Sequence, residues 1–540
     1  MNDATVFAYS RMVKFQTTKH PKLYEGGIEG DLMESWETSP DKLTLTFKLR
    51  PGLKWDSRAP TNGRGIDSQD ITWSWQKFAS LNPGAVNMVY DATKNPGAAV
   101  ESLTAPDSRT IVMKLKQPDS ALMTTLAGWD QFYPMPRESE SQFDPRTTVR
   151  GHGPWMLDEY APSAYTYWRK NPDYYVKGRP YADRLERALI PEFAARVAQF
   201  ITGNIHTDVV EGAQDQVLQV KKDAPDAVLM LGHGGNGRNY AATVSNHIIF
   251  GYEGNSIFKD IRMRQAMSMA IDREAIADSV ENRVVFQKEG LDNGISANSA
   301  LSPAWNGYWI DPNNEKEFGP THKYLKYNPA EAKKLIAAAG YPNGVEFDFF
   351  HNRENTYGVI YSRMLEIYAS MLPDVGLRAQ LNGVPYATWQ PQYYQGYVKS
   401  AFDAGRAKGF NGAGLSAERS RYTALMSLYG LHHVQGDAFH GASLNGSPGN
   451  EGDPKLNDML GRLRLESDTN KVKEGVKEAQ RYLAEQMYIV PKPTNSIAFT
   501  VWWPKIANLM AYNTAPAGPN RWAEQNLQWW IDESKAPLKS

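Results

Sequence analysis

Three groups of residues in this chain are of types that could do chemistry: a glycine-rich turn, a set of histidines and several paired carboxylates. Gly232-His233-Gly234-Gly235-Asn236-Gly237 spells G-x-G-x-x-G after the strand-like stretch 227–231, an arrangement able to cradle a pyrophosphate. That cradle requires a helix to begin at the glycines, so that its first amides face the phosphate. Residues 240–250 read instead as strand or loop, with Ile248-Ile249-Phe250 at the end. A glycine-rich turn is the favoured reading, and a dinucleotide site is the other.

His432-His433 with His440 supplies three imidazoles. Adjacent histidines do not share one face of a helix or strand, and no carboxylate cluster flanks them, so a surface pair is expected and no metal site. Glu138 with Glu140, and Asp223 with Asp226, sit in polar surroundings and read as solvated charge. Neither H-E-x-x-H nor G-x-S-x-G occurs, since Gly441-Ala442-Ser443-Leu444-Asn445 lacks the closing glycine. The chain has no cysteine, which removes thiol nucleophiles, thiolate metal sites and disulfides. No catalytic residue and no cofactor is therefore assigned, and an enzyme is not expected.

Such groups need a scaffold, and composition bounds it. At 540 residues the chain exceeds one ordinary core, and about three or four packed units are expected. With 41% hydrophobic, 11% aromatic and 22% charged residues it has the make-up of a folded globular protein. Lys plus Arg number 59 against 60 for Asp plus Glu, with neither sign gathered into a block, so nucleic acid is not an expected partner. No run of about 18 apolar residues is present to cross a bilayer as a helix. Met1-Asn2-Asp3 leads straight into Thr5-Val6-Phe7-Ala8-Tyr9, with neither the basic start nor the apolar core of a signal peptide.

Local pattern places the elements. Leu43-Thr44-Leu45-Thr46-Phe47-Lys48-Leu49 alternates apolar and polar until Pro51-Gly52, the period of a half-buried strand; a second strand is expected over 110–115. Met263, Ala266, Met267, Ala270 and Ile271 fall on one helical face. Asn328-Pro329-Ala330-Glu331 supplies an N-cap, a proline at the first helical position and a glutamate at N3, and Gly340 stands where the helix stops. Two amphipathic helices follow, through Leu456, Met459, Leu460 and Leu463, then Val472, Val476, Ala479, Leu483 and Met487. Interleaved strands and helices predict α/β or α+β lobes. The Gly/Ser/Asn-rich stretch 441–452 reads as a surface loop.

Several blocks, in order, resemble the family-5 extracellular solute-binding proteins of ABC transporters, the dipeptide and oligopeptide-binding group. They are Leu32-Met33-Glu34-Ser35-Trp36-Glu37, Phe47-Lys48-Leu49-Arg50-Pro51-Gly52-Leu53-Lys54-Trp55-Asp56, Asp70-Ile71-Thr72-Trp73-Ser74-Trp75, Gly151-His152-Gly153-Pro154-Trp155, Asn171-Pro172-Asp173-Tyr174-Tyr175 and Gly178-Arg179-Pro180-Tyr181. The most specific block is Phe258-Lys259-Asp260-Ile261-Arg262-Met263-Arg264-Gln265-Ala266-Met267 with Ala270-Ile271-Asp272-Arg273-Glu274.

The resemblance implies an α/β, type II periplasmic-binding-protein-like clamp of two lobes that closes over a ligand in the cleft between them. It implies a first lobe of 1–10, 150–248 and 489–540, an extra subdomain of 11–149 and a second lobe of 249–488. The implied function is a periplasmic or cell-surface receptor, monomeric, that delivers a small-molecule ligand such as a peptide to the permease subunits of an ABC transporter. A sensory or chaperone-like binding protein on the same fold is the alternative, with a hydrolase or dinucleotide enzyme behind it. A secretion signal and a first-lobe strand would lie upstream of Thr5. Trp129, Tyr252, Arg406 and Phe410 are the ligand-binding residues the resemblance suggests, the aromatics as flat walls with polar tips. Peptide binders of the group commonly carry a second-lobe aspartate for the ligand's ammonium. The matching stretch here has Arg406 and Lys408 and then no acid until Glu418, which points to a carboxylate-bearing or neutral ligand.

Overall fold

Strands and helices fall where side-chain period and capping residues put them, within two bodies of chain. The computed structural model describes residues 2–537 apart from 20–26, 82–91, 93–97, 129–130, 208–213, 232–245, 292–293, 404, 419–420, 442–450, 496–498, 510–511 and 514–525. Unit 1 comprises Met1–Gly237 with Phe499–Ser540, and unit 2 is Arg238–Ala498. The position 248/249, where the resemblance puts a lobe boundary, falls inside a strand of unit 2.

In unit 1, β1 (Met33–Thr38), β2 (Thr44–Leu49), β3 (Val100–Asp107) and β4 (Thr110–Leu115) form an antiparallel sheet in the order β1-β2-β4-β3. The expected alternation is present in β2: Leu45, Phe47 and Leu49 are buried, and Lys48 is exposed. Helix α1 (Ser68–Leu81) packs on β3 and β4. Its Asp70 is fully buried and accepts from Trp55 Nε1 at 3.0 Å, from both terminal nitrogens of Arg64 at 2.7 and 2.8 Å, and from Arg137 Nε at 2.9 Å. Burial alone would raise the carboxyl pKa, but these donors outweigh it and the pKa falls. Glu138 joins the network by accepting from Arg64 at 2.6 and 2.7 Å. It is a structural ion pair, which corrects its reading as merely solvated charge.

A second sheet of unit 1, β5 (Trp155–Ala161), β6 (Tyr165–Lys170) and β7 (Arg184–Ala188), is an antiparallel meander. The glycines before it have a steric reason: a Cβ on Gly151 would fall 1.8 Å from the Ala8 carbonyl oxygen. Helices α2 (Phe193–Ile201) and α3 (Gln214–Asp223) bury Phe200, Val217 and Val220 against Val501 and Trp503. There β8 (Val228–Leu231) pairs antiparallel with the strand Phe499–Trp502.

Unit 2 is built on one mixed sheet. Its strands are β9 (His247–Tyr252), β10 (Val345–Asn352), β11 (Leu377–Val384), β12 (Asn411–Ser416) and β13 (Ile489–Val490), in the order β11-β10-β12-β9-β13. β10 runs parallel to β11 and β12, and β9 runs antiparallel to its neighbours β12 and β13. Every residue of β9 is buried, as a strand covered on both faces requires.

The helices of unit 2 include α4 (Ile261–Met269), α5 (Pro329–Ala338), α6 (Val359–Met371), α7 (Ala424–His432), α8 (Pro454–Leu465) and α9 (Thr469–Gln486). The cap expected for α5 is present: the Asn328 side chain accepts from Glu331 N, Pro329 holds the first position, and Gly340 has φ +102°. The apolar face expected for α4 is buried, and the burial extends beyond it to all of Met263 to Met269. Its polar side chains are satisfied by main-chain carbonyls: Arg264 donates to Phe258 O and Gln486 O, Gln265 to Glu485 O, and Ser268 to Tyr324 O. The most specific sequence block is thus a structural junction that ties α4 to the end of α9.

Candidate functional site

In an open sheet with parallel strands, ligands sit beyond the carboxyl ends of the strands, at the point where successive connections leave in opposite directions. Unit 2 has such a point between β10 and β12. After β10 the chain turns through Asn355–Tyr357 into α6 and returns as β11 on one flank; after β12 it runs through α7, α8 and α9 to β13 on the other. The strand ends at this divergence are the candidate site.

Its floor is Tyr361. The hydroxyl accepts from Asn352 N at 3.0 Å and donates to Leu415 O at 2.7 Å, which links the ends of β10 and β12. Tyr357 follows β10, and its ring centroid lies 5.0 Å from that of Tyr361. Tyr386 follows β11, with its ring edge-on to Tyr357 at 5.9 Å. Both Tyr357 and Tyr386 are half-buried. Burial, more than the neighbouring Tyr386, raises the Tyr357 phenol pKa, so it stays protonated.

Glu418 lies just beyond β12, and its side chain is only 2% exposed. Its Oε1 accepts from the Tyr394 hydroxyl and its Oε2 from Arg421 Nη1 at 2.7 Å. Arg421 also donates to Asp437 Oδ1, from Nη2 at 2.6 Å and from Nε at 3.1 Å. Room for this guanidinium comes from Gly430 in α7, where a Cβ would sit 2.1 Å from Arg421 Nε. Burial raises the Glu418 carboxyl pKa, with Arg421 and Tyr394 opposing the rise.

The histidines lie at the same end of the sheet. His247 opens β9 opposite Ser416, the last residue of β12, and its ring is 5.5 Å from His440, which in turn is 5.8 Å from Tyr394. His432, His433 and His440 are all buried, which corrects their expected place on the surface: α7, which ends in His432 with His433 as its cap, is itself almost wholly buried. Burial holds the His432 pKa at about 3 and the His433 pKa at about 4, and it pushes His440 well below the usual histidine range. Among the described residues, no group of three or more His, Cys, Asp or Glu side chains is placed to hold a metal ion.

The residues suggested from the resemblance fall elsewhere. Tyr252 ends β9 and Phe410 precedes β12, at the opposite, amino end of the parallel strands. Tyr397 joins them: its hydroxyl accepts from Tyr252 N at 2.7 Å and from Phe410 N at 3.2 Å. Both rings are buried, Tyr252 at 1% and Phe410 at 6% exposure. Burial raises the Tyr252 phenol pKa to about 12. Arg406 is exposed. Trp129 and the Gly232–Gly237 turn lie outside the described residues.

The family model for bacterial extracellular solute-binding proteins, family 5, matches residues 27–414. The chain belongs to that family. It is 28% identical over 363 residues to heme-binding protein A of Haemophilus influenzae, covering 65% of this chain and 59% of that protein. A putative ABC transporter peptide-binding protein of Brucella ovis is 30% identical over 262 residues, 47% of this chain and 44% of its own. The chain therefore spans roughly half the length of these curated relatives. The solved structure of the periplasmic binding protein DppA from Helicobacter pylori, in complex with the peptide STSA, aligns with TM-score 0.70 at 17% identity over 98% of this chain and 94% of that one. The fold is that of the type II periplasmic binding proteins.

Proposed function

We propose that this family-5 protein is the extracytoplasmic receptor of an ABC transporter, that it takes a peptide or another small polar solute, and that it hands this solute to the permease subunits without catalysing a reaction. The family match over residues 27–414 is the observation that carries the reading. The carboxyl ends of β10, β11 and β12 support it: half-buried aromatic rings stand there beside polar groups engaged with one another. Among the described residues no helix is long and apolar enough to cross a membrane.

The test is to purify the protein from its native host, denature it, identify any released small molecule by mass spectrometry, and return that compound to the refolded protein in a calorimeter. Release of a peptide or carboxylate that rebinds with a measurable heat is the expected outcome. Failure to release anything, with no heat and no shift in melting temperature across a broad solute library, would overturn the reading.

A further inference from the structure

The side chains at the carboxyl ends of β10, β11 and β12 have a chemistry that narrows what can bind there. Glu418 and Asp437 are the buried acids of this region, and Arg421 lies between them with its side chain 7% exposed. Both Glu418 oxygens already accept hydrogen bonds, one from Tyr394 and one from Arg421. The guanidinium cannot swing away without leaving two carboxylates in a buried setting, and breaking such an arrangement is costly. It is held from behind as well, lying against Gly430 where no side chain fits. A ligand ammonium approaching Glu418 would find its charge already countered by Arg421 and its oxygens buried.

The aromatic residues beside this cluster are differently disposed. Tyr357 and Tyr386 follow adjacent parallel strands, and both keep part of their surface exposed. The charged residues on the Tyr357 loop, Arg353 and Glu354, are exposed and of opposite sign, so they give the loop no net charge.

We propose that this end of the sheet takes an uncharged, π-bearing part of the ligand against Tyr357 and Tyr386, and that Arg421 excludes a cation from it by occupying Glu418 from within. This rests on the solute-receptor reading. Tyr357 is then a specificity-determining contact, and Arg421 is a positioning residue that acts through Glu418.

The test uses the full chain and three probe dipeptides that differ in one side chain: Ala-Phe, Ala-Leu and Ala-Lys. Titration calorimetry is expected to rank them in that order, with Ala-Phe at least tenfold tighter than Ala-Lys. Tyr357→Ala should weaken Ala-Phe about tenfold, towards Ala-Leu, whereas Tyr357→Phe should keep it within about threefold, because stacking needs the ring and not the hydroxyl. Arg421→Met, which removes the counter-charge of Glu418, should raise the affinity for Ala-Lys; Glu418→Gln in the same background should cancel that gain, and thermal melts identify any variant that fails to fold. Ala-Lys binding as tightly as Ala-Phe to the unmodified protein, or Tyr357→Ala leaving Ala-Phe unchanged, would overturn the inference and leave the receptor reading standing. If none of the three peptides binds a cooperatively folded protein, the inference is overturned, and the receptor reading is decided separately by the wider solute library.

Discussion

At the scale of single residues, buried charges and the space made for them govern the consequences of substitution. Gly430 sits inside α7, where alanine would ordinarily stabilise a helix by about 1 kcal/mol. A Cβ there would meet Arg421 Nε at 2.1 Å and Cζ at 2.5 Å, and the guanidinium is held by two carboxylates. Gly430→Ala is therefore expected to lose roughly 2 kcal/mol instead of gaining 1, because displacing a paired buried charge outweighs helix propensity. Urea unfolding of the variant checks the sign. In unit 1, Asp70→Ala removes the acceptor shared by Trp55, Arg64 and Arg137. A loss of about 3 kcal/mol is expected, read as a lower melting temperature. Asp70→Asn should recover only part of it, since the amide keeps one acceptor oxygen but carries no charge.

At the scale of elements, caps are separable from the rest of the fold. Asn328 accepts from Glu331 N at the start of α5, and Asn328→Ala should cost about 1 kcal/mol with no change in ligand binding, checked by unfolding and titration on the same preparation. This cap was legible in the sequence because its parts lie within four residues. So were β2, β4 and the amphipathic α8 and α9, whose periods are local. The full burial of α4 was not legible: nothing in Arg264 or Gln265 signals that carbonyls more than 200 residues away will receive them. The histidines failed for the same reason, since His247 and His440 meet only because β9 pairs with β12 and α7 leads the chain back over that end. Glu418 stood in view as the first acid after Lys408, yet its partner Arg421 reaches Asp437, a further 16 residues along. Only the strand order brings Tyr357 and Glu418 to one end of the sheet, and strand order is not written in any local period.

At the scale of the whole molecule, the buried histidines make stability depend on pH. His152 in unit 1 is held to about 4, and in unit 2 His432 is held to about 3 and His433 to about 4, all by burial and all below the unfolded value of 6.5. The unfolded chain takes up these protons first. The histidine contribution is therefore complete above about pH 6.5 and is lost as the pH falls towards 4, by up to about 1.4 kcal/mol per histidine per pH unit. Glu418 works in the opposite sense, since its raised pKa favours the folded state as it protonates. Glu253 does the same, but His432, His433 and His440, all depressed by burial, outnumber these two acids of unit 2, so urea midpoints should fall between pH 7 and pH 5. His432→Leu should flatten the fall.

The pairing of β8 with Phe499–Trp502 also sets a timetable for the growing chain. Everything in unit 2 is made between the two halves of that ladder, so unit 2 has all its strands while unit 1 still waits for the strand that completes β8. Until residue 499 has been synthesised, β8 keeps an open hydrogen-bonding edge, the kind of edge that recruits other chains. A ribosome stalled just short of residue 499 would leave unit 2 able to fold and unit 1 prone to aggregate, and a helper that shields nascent chains would find its substrate in the part made before unit 2.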